Sequence, residues 1–587
     1  MRKITAFWLA LVLLLSLTSC GKKGAEAPLP AETESVTKKA SEPAVKAVPA
    51  EVTAEEPETI EETEAETEAE TESAPEEEKT SVSLLHVTVE EISKREGNCC
   101  DEYEIVRLTD EDAAAYPDLA AALLDQAGQE EYRSGERMLQ LEENYEELKD
   151  SREEDFALDS AIRSNVVRAD SRILSIYHHE YMWLGGAHPS YYLCGDSFDT
   201  ETGMHLRFSD VVTDPEKFFD LVEEKLKEKY ADDYPYMNDF TEYRKNLSYE
   251  EYRNVAWITG YDGVTVFFNP YELGPYAMGY QVITVPFEEA PEVYSDRFTA
   301  VPEEYVIPLC DEFPAELDVK GSGKREEVFV EAVSATPEEE YAYAYNYVIH
   351  AGKRSVTLED GTYSAEGFVI QKDGKYYLYL FEVSDNDYVV LSVTDLQTME
   401  NDPEQTMIVK VKSEPGDWRE TENGYLSTWK YWPLTDPASM LLVEHCEILG
   451  TKSGERIYSA GPDGIPVPEE EWITFATTMA LKARKDIPCK EVSPDGKELS
   501  DAVIPEGTCL LFVRSDNEEW VDVQETAEEN LEVIIEEYGS MVFSEEPLKA
   551  EEGKTLYRIM VDPHAEWPFT VNGTDESELF YGIQYAG

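Results

Sequence analysis

Four residues in the first half of the chain carry side chains that can bind zinc and activate water: His178, His179, Glu180 and His188. Such a centre needs three ligands converging on one point. The spacing opposes it. His178 and His179 are adjacent, and neighbouring side chains on a strand leave opposite faces. Only one of them can share a site with His188, so neither a metal nor another cofactor is expected. A glycosidase needs two carboxylates at a set separation in a cleft. In a chain with 125 acidic residues, pairs such as Glu153 and Glu154 do not identify one. The sequence holds no G-x-S-x-G elbow and no phosphate-binding glycine loop. The expectation is a protein without catalysis.

A second set of residues suits recognition. Tyr271, Glu272 and Tyr276 lie in a loop shaped by Pro270, Gly274 and Pro275. Tyrosine offers a large contact area at low entropy cost. His188 follows Gly185 and Gly186 and precedes Pro189, which restricts it to extended backbone. Together these fix a bend between two strands, from which His188 can present its ring. His188, Tyr271, Glu272 and Tyr276 are therefore the ligand-binding candidates, with Gly185, Gly186, Pro189, Pro270, Gly274 and Pro275 shaping the site. The same residues also suit a purely structural loop with its tyrosines packed beneath it.

The elements that must position these loops read as α+β. Strands are expected at Val82–Val89 and Tyr103–Leu108. Leu119, Leu123 and Leu124 share a broad helical face, as do Met138, Leu141 and Tyr145. Residues 166–181 alternate as a long strand or a hairpin, and Tyr191–Phe198 is a further strand. Asp214 and Pro215 start a helix carrying Phe218, Phe219, Leu221, Val222 and Leu226. A second helix is expected at Tyr249–Arg253. Strands Gly263–Phe268 and Gln281–Val285 close a domain spanning residues 81–292. Segregated helices argue for an antiparallel sheet.

Residues 296–478 read as β-rich, with a polar turn at Asp385, Asn386 and Asp387. Residues 479–525 have the turns of a small barrel, and Glu519–Val523 resembles the end of a bacterial SH3-like module. Residues 526–587 form a mixed α/β extension with a helix at Glu528–Tyr538.

The N-terminus sets the compartment. Arg2 and Lys3 precede an apolar run from Phe7 to Leu17, followed by Leu17, Thr18, Ser19, Cys20 and Gly21. This is a secretory signal whose exit resembles a bacterial lipobox. The run falls short of the about 20 residues of a membrane helix. Residues 1–20 are thus expected to be a lipoprotein signal, with Cys20 lipidated. The protein is then extracytoplasmic and held to the cell membrane by lipid. Residues 21–80 are rich in Glu, Ala, Pro and Thr and read as a disordered acidic linker that gives reach.

The net charge is -76. It repels nucleic acid phosphates and attracts basic partners, in a salt-dependent way. Beyond Cys20 there are seven cysteines, an odd number that cannot all pair within the chain. Cys489 and Cys509 are the best local pair if their strands are neighbours.

An ordered set of motifs runs through the first domain. It comprises Trp183, Leu184, Gly185, Gly186, Ala187, His188 and Pro189, then Thr202, Gly203, Leu206, Phe208, Ser209 and Asp210. Residues 267–279 complete it, from Phe267 and Phe268 to Met278 and Gly279. Over roughly residues 82–288 this set resembles the RsiV-like family, a DUF3298 domain preceded by a DUF4163-like part. It is similar to the outer domain of a lysozyme-sensing anti-sigma factor and to the non-catalytic domain of some peptidoglycan deacetylases. The lipoprotein start leaves no cytoplasmic segment for holding a sigma factor. The second half lacks the deacetylase Asp-Asp and His-x-x-x-His arrangement. The resemblance therefore implies non-catalytic binding or sensing of a basic protein, lysozyme-like in part of the family, or of a peptidoglycan ligand. An envelope hydrolase acting on wall glycan is the alternative.

Overall fold

The computed structural model describes residues 81–152, 156–249, 251–336, 344–384, 389–401, 406, 408–411, 426–428, 433–536, 539–548, 550–551, 553–562 and 569–585. The lipobox with Cys20, the linker over 21–80 and the turn at Asp385–Asp387 lie outside these residues.

Side-chain alternation builds the first sheet. Strands β1 (Val87–Glu96), β2 (Cys99–Leu108), β3 (Leu158–Ala169), β4 (Ile173–Trp183) and β5 (Ser190–Asp199) stand side by side in that order. One face sends Tyr103, Ile105 and Ile162 against Ala127 of the long helix α1 (Pro117–Leu148). The same helix buries Leu119 and Leu123 against Leu174 and Ile176. The other face buries Tyr177 and Leu193 against Ile258, Phe267 and Val282. Those three belong to a second sheet of β6 (Ala256–Thr259), β7 (Gly263–Phe268) and β8 (Gln281–Pro286). Val264, Val266, Phe268, Ile283 and Val285 leave the far face of that sheet. They meet Phe218, Phe219, Val222 and Leu226 of helix α2 (Pro215–Lys229). The layers run helix, sheet, sheet, helix, an α+β arrangement.

Details of the expected elements change for identifiable reasons. The β2–β3 pair is parallel, because the 32-residue α1 carries the chain back across the sheet. Residues 166–181 form a hairpin. The Asp170 carboxylate accepts the backbone N–H groups of Arg172 (2.8 Å) and Ile173 (3.1 Å) and turns the chain there. Leu124 is 62% exposed, because its neighbour Leu123 takes the core-facing position. The helix expected at 249–253 lies earlier, as α3 (Phe240–Tyr249). Glu251 and Tyr252 have φ of 55° and 59°, which a helix cannot continue through.

The second region is β-rich. Strands at Tyr305–Pro308, Ser364–Lys372, Lys375–Val383, Val389–Asp395 and Ile408–Val411 form one sheet. The strands expected within 479–525 belong to a 14-stranded sheet. Strand Leu556–Met560 inserts between Trp520–Thr526 and Ile487–Val492, so those strands are completed by a later part of the chain. Strands Ile487–Val492 and Cys509–Ser515 are therefore not neighbours. Cys489 and Cys509 are both free thiols, as are the other five described cysteines. The helix expected at Glu528–Tyr538 is replaced by a short turn at Glu528–Asn530 and a strand, Glu532–Glu536, paired with Gly539–Leu548. The β-branched run Val533, Ile534, Ile535 favours a strand over the helix suggested by its glutamates.

Arg168 fastens the first region to the segment after β8. It is fully buried, pairs with Asp170 at 2.7 Å, and donates to the carbonyls of Phe298 and Ala300, each at 2.8 Å. The Thr435 hydroxyl also donates to the Leu85 carbonyl at 2.7 Å.

Candidate functional site

The tip of the β4–β5 hairpin and the loop between β7 and β8 meet. At the tip, Gly185 has φ of 78°, and a Cβ there would lie 2.5 Å from the Leu148 side chain. The positive φ favours glycine, and any side chain there would have to displace the Leu148 methyl. Its carbonyl accepts from Arg152. Gly186 is less constrained, since an added Cβ would meet nothing nearer than 3.7 Å.

His188 then stacks on Tyr276, with ring centroids 4.1 Å apart and planes 23° from parallel. The Pro189 carbonyl locks the pair. It accepts from His188 Nδ1 at 2.9 Å and from the Tyr276 hydroxyl at 3.4 Å. The His188 ring itself is exposed.

Tyr271 extends the row. Its ring lies 5.8 Å from that of Tyr276. It is 64% exposed, and its φ is 77°. A bulky residue in the left-handed region is an outlier that the surrounding fold must hold in place. Pro275 opens the 3₁₀ turn Tyr276–Met278, and Gly274 leaves room for the Met278 side chain. Pro270 is half-buried at the start of the loop.

Glu272 departs from the expected ligand-facing role. Its carboxylate turns back on its own loop, accepting the Asn269 N–H at 2.9 Å and the Tyr243 hydroxyl at 3.5 Å. Burial pushes its pKa above the usual carboxylate range, despite those two bonds. It holds the loop's shape. The structure thus brings His188, Tyr276 and Tyr271 together in a row and leaves Glu272 beneath it.

Asn269 is a residue that sequence reasoning passed over as a contributor. It is 3% exposed. Its side chain bonds both backbone groups of Leu193 on β5, at 2.7 and 3.0 Å. The available signal was an Asn-Pro pair ending a strand, where Asn side chains commonly replace backbone partners.

His178 and His179 go to separate partners on opposite faces of the first sheet. On the α1 side of the first sheet, His178 lies 3.0 Å from the Ser164 hydroxyl and 3.2 Å from Asp196, and Asp196 accepts from His205 Nε2 at 2.6 Å. Burial opposes the charge on Asp196, but the bonds from His178 and His205 outweigh it and hold its pKa well below the usual range. His179 leaves the opposite face, pairs with Glu312 at 2.7 Å and stacks on Tyr191.

Residues 209–288 match the family model described as a protein of unknown function, DUF3298. That stretch contains α2, α3, the second sheet and the 269–280 loop, and it begins after the hairpin tip with His188. A DUF3298-family protein from Bacteroides fragilis is 18% identical; the match covers 37% of this chain and 96% of that one, at a TM-score of 0.25. One from Pseudomonas aeruginosa is 15% identical over 36% of this chain and 96% of that one, also at 0.25. No curated protein matches the chain. Over residues 209–288 the chain carries a DUF3298 domain.

Proposed function

We propose that this is a lipid-anchored envelope protein whose first folded region binds an extracellular ligand, a basic protein or a cell-wall fragment, without catalysis. The observation that carries the reading is the row of Tyr271, Tyr276 and His188, exposed at Tyr271 and His188, assembled from two loops and including a tyrosine held at φ of 77°. An exposed aromatic residue held in the left-handed region supports a role beyond packing. The lipobox-like Leu17–Cys20 start supports anchoring outside the cytoplasm. The resemblance to RsiV-like sensing domains supports recognition as the role.

The test is a pull-down with the detergent-solubilised full chain against lysozyme and against soluble muropeptides, at low and at physiological salt. Saturable capture that survives physiological salt supports the reading. Capture of lysozyme only at low salt reports the net charge alone and counts against it.

A further inference from the structure

Helix α1 turns Leu119, Leu123, Ala127, Ser134, Met138 and Leu141 onto the first sheet. Its outer face is not the polar surface that an amphipathic helix normally shows to water. Leu124, Tyr132 and Leu139 stand there, 62%, 69% and 61% exposed. Gly128, Gly135 and the exposed Ala121 share the stripe with them. Apart from proline, glycine is the poorest helix former. Neither glycine serves a turn, since both lie inside α1 without a positive φ. Nor does packing demand them: among the described residues, an added Cβ at either would meet nothing within 4 Å. Two unfavourable glycines on an exposed face leave the helix backbone open to close approach from outside the fold.

The spacing selects a helix as the occupant. Ala121, Gly128 and Gly135 recur every seven residues, and Tyr132 and Leu139 repeat the same interval one turn further on. Such a repeat keeps one seam turned toward a partner helix, whose side chains enter the holes between the ridges. A strand, with its period of two, cannot follow it. Charge selects the sign of the partner. Asp125, Glu136 and Glu143 are exposed along one edge of the seam. Gln129 donates to Asp125 at 2.9 Å, and the Tyr132 hydroxyl to Glu136 at 3.2 Å. Among the described residues none of these three carboxylates pairs with a cation, whereas Arg133 and Arg137 of the same helix are held by Glu130 at 3.4 and 2.7 Å. A second copy of the chain would set these carboxylates against their own kind, and an anionic membrane would be repelled.

We propose that the outer face of α1 docks a basic amphipathic helix of a partner protein. The large apolar residues of that helix seat over Gly128 and Gly135, between Leu124, Tyr132 and Leu139. Its lysines or arginines meet Asp125, Glu136 and Glu143. The face shares no residue with the Tyr271 row, so this contact stands or falls apart from the binding proposed above.

The test is a fluorescence-anisotropy titration of the full chain, at physiological salt, into a labelled leucine–lysine peptide with leucine in the helical period. The same residues rearranged in strict alternation, and oligolysine, are the comparison peptides. Gly128→Gln/Gly135→Gln fills both holes with a good helix former and leaves the charge unchanged. Asp125→Asn/Glu136→Gln/Glu143→Gln keeps the shape and removes the charges. Saturable binding of the helical peptide is expected, with Kd raised about tenfold or more in the glycine variant and severalfold in the charge variant. The glycine variant is expected to melt at or above the wild-type temperature, which separates lost binding from lost fold. Equal binding of the alternating peptide or oligolysine, equal binding by the wild type and either variant, or no binding at all overturns the proposal. So does self-association in sedimentation that the glycine variant abolishes, which makes a second copy the occupant.

Discussion

The side-chain amide of Asn269 completes the backbone of Leu193: Oδ1 accepts its N–H at 2.7 Å and Nδ2 donates to its carbonyl at 3.0 Å. Asn269 directly follows β7 and Leu193 lies on β5, 76 residues earlier. The pair therefore ties the loop carrying Tyr271 and Tyr276 to the strand just beyond His188.

Removing that tie leaves two backbone groups unsatisfied at a buried site. Each costs about 1–3 kcal/mol, so Asn269→Ala is expected to lower stability by about 2–6 kcal/mol in urea unfolding. It should also weaken ligand binding by loosening the loop that carries Tyr271 and Tyr276. Unchanged stability would mean that the bonds are replaced by water.

Tyr271 separates stability from function. At φ of 77° a non-glycine residue carries left-handed strain. Tyr271→Gly is expected to stabilise the fold by about 1 kcal/mol, whereas Tyr271→Ala keeps the strain and brings no such gain. Denaturation of the two variants side by side checks this, and equal stabilities would remove the strain argument.

Asp196 links the fold to pH. The bond to Asp196 raises the His205 pKa, so the stability from His205 is complete below its unfolded value near 6.5 and lost as pH rises through the raised value. Despite burial, Asp196 itself is depressed by its two histidines. Its contribution is present above about 3.9 and lost as pH falls through the depressed value. Both are in place between about pH 4 and 6.5. Because the acidic chain as a whole also gains from lower pH, the informative quantity is the difference between wild type and Asp196→Asn. It is expected to be larger at pH 5.5 than at pH 8.5. A difference that does not change with pH would show that the cluster does not titrate with folding.

Lipid anchoring makes its own prediction. Cys20→Ala is expected to abolish metabolic labelling by palmitate and to change the protein's membrane fractionation. Labelling that persists in the variant would contradict lipidation at Cys20.

Much of the first region was legible because its signals are local. Alternation through residues 166–181 marks part of the paired strands, and the spacing of Leu119, Leu123, Met138 and Leu141 marks α1. The parallel β2–β3 pair was not legible, since it depends on where a long helix returns the chain. The tail strand was obscured by glutamates around a β-branched run. At the candidate site, the glycines and prolines signalled bends, but the orientation of Glu272 depends on Asn269 and Tyr243. The three-residue step from Asn269 to Glu272 was its only local clue, and the stacking of His188 on Tyr276 joins segments that no local pattern relates.

The most direct measurement is one titration series at physiological salt: the full chain and its Tyr271→Ala/Tyr276→Ala double variant, each against lysozyme and soluble muropeptides. Saturable binding of at least one ligand by the wild type, and its loss in the folded double variant, is the expected result. Equal binding by the two proteins, or none by the wild type, would contradict a binding role for the aromatic row.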